Sequence, residues 1–147
     1  MKSILISLTI LLIGAQPVLA NPEPLDIMGN AINPDVVTIY AYRPKKWGAA
    51  LMVLELEMTD LEGIVALKNK THFIHTTDLD GSFEFEGALR DVPEDFEIFT
   101  ELGNVYYVRC FINDKGVVAR PGFELVDAET AKKDMKKSKP AKIGVKK

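Results

Sequence analysis

His72 and His75 are the only two histidines in the chain; they lie three residues apart, and Asp78 and Asp80 follow them. Imidazole nitrogens and carboxylate oxygens are ligands that zinc accepts, but a zinc centre wants three or four of them on one side of space. On a helix this spacing would bring both rings to one face. On a strand it sends them to opposite faces, where they share a metal only across a bulge. The surrounding residues read as strand, so His72, His75, Asp78 and Asp80 stand as metal-ligand candidates with the geometry against them. Ser82 and Ser138 are the only serines beyond residue 20, and Ser82 lacks the strand–elbow–helix setting that a nucleophilic serine needs. Asp78-x-Asp80-Gly81 starts like a calcium loop. An EF-hand, however, requires glycine at position six and glutamate at twelve, and here glycine falls at four and Leu89 at twelve. No catalytic residue and no cofactor is assigned.

Basic residues supply the other candidate chemistry, which is adhesion. Arg43-Pro44-Lys45-Lys46-Trp47 is the one basic and aromatic patch in an otherwise acidic body. Arginine and tryptophan are enriched where proteins meet partners, so Arg43, Lys45, Lys46 and Trp47 are partner-binding candidates. Residues 132–147 hold eight lysines and one acid, or +7, whereas residues 21–131 hold nine basic and twenty acidic residues, or −11. Such asymmetry speaks to partners rather than to fold. Lys132, Lys133, Lys136 and Lys137 head this tail; an anionic envelope surface or an unknown protein is the partner they fit, and the chain's own −11 body is the competing target. The acidic body argues against a nucleic-acid-binding domain.

The elements that carry these groups show a period of two. Leu54, Leu56 and Met58 alternate with Glu55 and Glu57; Phe83 and Phe85 alternate with Ser82, Glu84 and Glu86; Val108, Cys110 and Ile112 alternate with Arg109 and Phe111. Successive strand residues face opposite sides, so each run has one face for a core. Residues 37–42, 64–67, 71–75 and 123–126 are further strand candidates, and Pro93 to Leu102 reads as strand in preference to a short helix. Short strands separated by Gly, Pro and Asp turns predict an all-β chain, a small antiparallel β-sandwich of about seven strands. Asp78-Leu79-Asp80-Gly81 reads as the turn of a hairpin. Cys110, on an apolar strand face, is expected to be buried; a single cysteine rules out an intrachain disulfide.

Thr76 to Leu89, TTDLDGSFEFEGAL, resembles the carboxypeptidase regulatory-like modules, small β-sandwiches with a transthyretin-like fold. Gly48-Ala49 followed by Met52 to Met58 is similar to the earlier part of that pattern. The resemblance covers about residues 36–112 and implies two sheets of antiparallel strands. It implies no shared catalytic residues, so no site is carried over.

The ends complete the plan. Lys2, the apolar run Ile4 to Ile13 and Val18-Leu19-Ala20 make residues 1–20 a signal peptide cleaved before Asn21; that apolar run is shorter than the roughly 20 residues a bilayer span needs. Residues 21–35 form an extended lead-in, 36–127 the sandwich domain and 128–147 the lysine-rich tail. In the tail, Asp127 is placed to cap a short helix with Glu129 and Lys133 paired at i,i+4. The rest of the tail is expected to stay flexible and act by charge. At 47% hydrophobic and 27% charged residues the composition is that of a globular domain. The expectation is an exported, periplasmic or secreted, non-enzymatic binding module. Two further readings are a small ligand or metal carrier using the His72–Asp80 region, and an enzyme whose site is unrecognised.

Overall fold

The computed structural model describes residues 23–46 and 48–145; the expected signal peptide, residues 1–20, and Trp47 lie outside the described residues. The chain is mostly β. Its strands are β1 (Val37–Arg43), β2 (Leu54–Met58), β3 (Ile64–Leu67), β4 (Thr71–Thr77), β5 (Gly81–Leu89), β6 (Val92–Thr100), β7 (Val105–Asn113) and β8 (Arg120–Val126). A single helix α1 (Ala128–Asp134) and two short strands, β9 (Lys139–Pro140) and β10 (Lys142–Gly144), follow. One sheet has the order β8-β7-β1-β4-β9 and the other β10-β3-β2-β5-β6. Pairing is antiparallel except for β1 with β7 and β4 with β9.

Period-two alternation builds the core. Leu54, Leu56 and Met58 of β2, Phe83 and Phe85 of β5, and Ile98 of β6 turn inward from one sheet. Val37, Ile39 and Ala41 of β1 and Val108, Cys110 and Ile112 of β7 meet them from the other. The two sheets touch where the Phe123 ring of β8 lies over Gly87 of β5, with the Phe85 ring 6.5 Å away.

β1 differs from the other strands in being buried on both faces. Tyr40 and Tyr42 alternate with its core residues and point away from the opposing sheet. There they form a second cluster with Tyr107 of β7 and with Ala131 and Met135 of the C-terminal segment. The lead-in closes the same layer: Ile27 packs on the tyrosines, its N–H bonds Tyr107 Oη at 3.3 Å, and the Tyr40 hydroxyl donates to Asp26.

Three expectations are corrected. Asp78–Asp80 does not turn a hairpin, because β4 and β5 belong to different sheets; the loop carries the chain from one sheet to the other. Thr100 Oγ1 fixes it by donating to the carbonyls of Leu79 at 2.8 Å and Gly81 at 3.1 Å. The hairpin falls instead at Arg90-Asp91, between β5 and β6, where φ is 48° and 67°; two positive φ values match the strand twist in a two-residue loop. The strand count is ten among the described residues in place of about seven: β1 to β8 make eight, and residues 139–144 supply two short strands more. Residues 128–145 are not a free charged end. Asp127 caps α1 by accepting from the Thr130 N–H at 2.7 Å, and the apolar pair Ala131 and Met135 gives the helix a buried face despite its lysines. Beyond it the chain runs along the open edges of both sheets, β9 beside β4 and β10 beside β3.

Candidate binding surfaces

The metal-ligand candidates do not converge. His72 and His75 lie on opposite faces of β4, as strand geometry requires. His72 is buried beneath the C-terminal segment, with Nδ1 2.9 Å from Ser138 Oγ, and burial holds its imidazole below the ordinary value of 6.5. His75 turns into the inter-sheet space between the rings of Phe73 and Phe83, with Nε2 2.5 Å from Asp60 Oδ1. Burial raises the Asp60 carboxyl, but hydrogen bonds from Thr77 and His75 outweigh it and leave the group below its usual value. Asp60 escaped the sequence reading because it lies in the β2–β3 turn, far from the histidines in sequence. Asp78 and Asp80 sit in the crossing loop. Among the described residues no three His, Cys, Asp or Glu side chains form a group able to hold a metal ion. Ser82 Oγ donates to Glu97 Oε1 at 2.7 Å and stands on a strand.

The first basic patch divides. Arg43 is 2% exposed and unavailable to a partner: it points inward at the end of β1 and donates to the carbonyls of Ala49, Met52 and Leu67. Three carbonyls satisfy a buried guanidinium, and burial lowers its proton affinity. Lys46 is exposed, with Nζ 3.3 Å from Asp114 Oδ1; Lys45 is exposed too.

The lysines of the C-terminal segment are held on a fixed scaffold. Lys132, Lys133, Lys136, Lys137, Lys139 and Lys142 are all exposed, while the residues between them anchor the backbone. Asp134 is the main anchor, taking bonds at 2.8 Å from Tyr42 Oη and from Arg109 Nε. Burial and the bond to Asp134 both raise the Tyr42 hydroxyl above its ordinary value, so it stays a donor. Past the helix, the Lys139 N–H bonds Lys70 O at 2.9 Å and the Ala141 N–H bonds His72 O at 2.8 Å. Gly63 makes room for the segment's end, since a Cβ there would lie 2.7 Å from Gly144 O.

A second charged surface lies on the far side of the molecule. Glu55 and Glu57 of β2, Glu84 and Glu86 of β5, and Asp95 and Glu97 of β6 alternate with core residues, so all six project from the outer face of their sheet. Register sets several of them side by side. Glu86 is opposite Glu57 on one flank and Asp95 on the other, and Glu84 is opposite Glu97. Like charges directly opposite on adjacent strands are destabilising. A shallow concavity of about 610 Å³ runs over these rows, and Phe99, 75% exposed, stands at the end of the same face. Sequence reading found the alternation but not the rows, because register between strands is a tertiary property.

The class defined by this fold is an all-β, two-sheet domain with carboxylate rows on one outer face and the lysine-bearing helix on the other. No family model, no curated protein and no solved structure matches the chain.

Proposed function

We propose that the chain is an exported, non-enzymatic β-sandwich module of the carboxypeptidase regulatory-like, transthyretin-like kind, which acts by binding and lies on an anionic envelope surface. Two sheets packed through alternating residues support the family reading. The observation that carries the binding reading is the docked lysine array. Lys132, Lys133, Lys136 and Lys137 are exposed on a backbone that Asp134, Ala131 and Met135 fix to the sheet. A preorganised array loses less conformational freedom on binding than a loose tail does. Each lysine near an anionic leaflet contributes about 1 kcal/mol. The segment has no broad apolar face to insert, so the attachment is peripheral and electrostatic. The separation of His72 from His75 leaves the carrier reading without a shared pocket.

Co-sedimentation with vesicles of 30% anionic lipid tests this. The exported protein is expected to bind at low salt and to be released as ionic strength rises. Lys132→Gln/Lys133→Gln/Lys136→Gln/Lys137→Gln keeps the anchoring residues and is expected to abolish binding. Undiminished binding by this variant, or equal binding to neutral vesicles, overturns the reading.

A further inference from the structure

Among the described residues, the four lysines of α1 and the turn after it lie on the opposite side of the molecule from the carboxylates of β5 and β6. Helix α1 covers the outer face of the sheet containing β1, through Tyr40, Tyr42 and Tyr107. The carboxylate rows project from the outer face of the other sheet, with the whole core between them. One side therefore presents Lys132, Lys133, Lys136 and Lys137, and the opposite side Glu84, Glu86, Asp95 and Glu97.

We infer that the acidic outer face of the β2-β5-β6 sheet is a docking surface for a second copy of this chain, which presents its lysine-bearing C-terminal segment to it. Three observations support a copy over other occupants. Charge complementarity is built into the chain, with carboxylates at strand spacing facing ammonium groups on long stems. The carboxylates form an array, and no three of them gather into a metal-holding group among the described residues; an extended array fits a polycationic surface better than a single ion. Phe99 adds an exposed ring on which lysine stems can lie while their ammonium groups stay solvated.

The contact joins two different surfaces, so it is heterologous and has no built-in stop. A copy lying on an anionic surface by its lysines turns its acidic face outward, ready for the lysines of the next. The inference uses the same lysines as the proposed function but a different partner for them, and the acidic face separates the two.

Sedimentation velocity on the exported protein is the test. At about 10 mM salt, where screening reaches about 30 Å, the sedimentation coefficient is expected to climb with concentration. At 0.5 M salt it is expected to return to the monomer value. Glu84→Gln/Glu86→Gln/Asp95→Asn/Glu97→Gln is expected to stay monomeric at low salt yet bind anionic vesicles. The four-lysine variant is expected to lose both properties. An equimolar mixture of the two variants retains one intact surface of each kind and is expected to form a 1:1 pair that grows no further. Circular dichroism of each variant checks that it is folded. A wild-type protein that stays monomeric at 1 mM and low salt overturns the inference. So does association that survives the acidic-face substitutions, or a mixture that fails to pair. Vesicle binding with no self-association overturns this inference alone; self-association with no vesicle binding overturns the proposed function alone.

Discussion

Tyr42 Oη donates to Asp134 Oδ2 at 2.8 Å across 92 residues of sequence, tying the lysine-rich C-terminal segment to the central strand β1. Arg109 of β7 holds the same carboxylate at 2.8 Å, and its other arm reaches Glu124 at 3.2 Å. A helix of seven residues is too short to persist in water unaided, so these bonds and the burial of Ala131 and Met135 hold it. Asp134→Ala leaves a half-buried hydroxyl and guanidinium without their acceptor and is expected to cost about 1–3 kcal/mol. Hydrogen exchange should show lost protection across residues 128–135 first, with β5 and β6 unaffected.

Core packing gives a paired expectation. Phe83 is fully buried against Phe85 and His75, and Phe83→Ala is expected to cost roughly 3–5 kcal/mol in urea denaturation. Gly87 faces the same core with no side chain, and a Cβ there would come within 2.3 Å of Phe123 Cζ. Gly87→Ala should therefore also destabilise, by about 1–3 kcal/mol through overpacking. A midpoint that does not move in the Gly87 variant would mean the sheets are not in contact at Phe123.

Much of this frame is legible in the sequence, and the reason is local. Leu54–Met58 was readable to the residue because its apolar residues alternate with Glu55 and Glu57, and Ile64–Leu67 because it is a short apolar run between turn residues. Long-range choices were not readable. Nothing local tells whether Asp78–Gly81 reverses within a sheet or crosses between two. Arg90-Asp91 lacks the glycine that marks a tight hairpin, although both residues adopt positive φ. Arg43 looked like a surface cation because its acceptors, the carbonyls of Ala49, Met52 and Leu67, are backbone groups that leave no mark in the pattern of side chains. The tail looked free because its apolar pair, Ala131 and Met135, is sparse among lysines and matters only against the three tyrosines.

Acid should destabilise the fold in two stages. The His72 imidazole, buried under the C-terminal segment, is held below 6.5. The unfolded chain thus takes up a proton at a pH where the folded protein does not, and stability falls as pH drops below about 6.5, by at most about 1.4 kcal/mol per pH unit. Asp26 and Asp60 act later. Burial raises both carboxyls, but the bonds they accept outweigh it and leave them below 3.8, so their stabilisation is present above that value and is lost as pH falls beneath it. Stability measured from pH 7.5 to 5 should decline in the wild type and flatten in His72→Gln. An unchanged slope in that variant would remove His72 from the account.

Cys110 tests whether β7 is as closed as the packing indicates. It is fully buried in the inter-sheet core, and burial pushes its thiol up to about 12. The thiolate is the reactive form, so the folded protein should resist a thiol reagent at pH 8, and the labelling rate should track the unfolded fraction along a urea titration. Rapid labelling without denaturant, or a disulfide-linked dimer in the native protein, would place Cys110 at the surface.

The carboxylate rows lead to an expectation of unusual sign. Glu86 stands between Glu57 and Asp95 in register, and a like charge directly opposite on a neighbouring strand works against pairing. Most surface substitutions are neutral or mildly destabilising, yet Glu86→Gln removes repulsion on both flanks while keeping the size and polarity of the side chain. It should stabilise the protein by about 0.2–1 kcal/mol at low salt. The gain should shrink at 0.5 M salt, where screening already weakens the repulsion in the wild type. Glu84→Gln, opposite Glu97, should gain on one flank only, and Glu55→Gln, opposite Ala88, should gain least. Urea denaturation of the three variants at two salt concentrations checks the order. Equal effects at all three positions, or gains indifferent to salt, would show that the rows carry no electrostatic strain and that binding is not needed to account for their presence on one face.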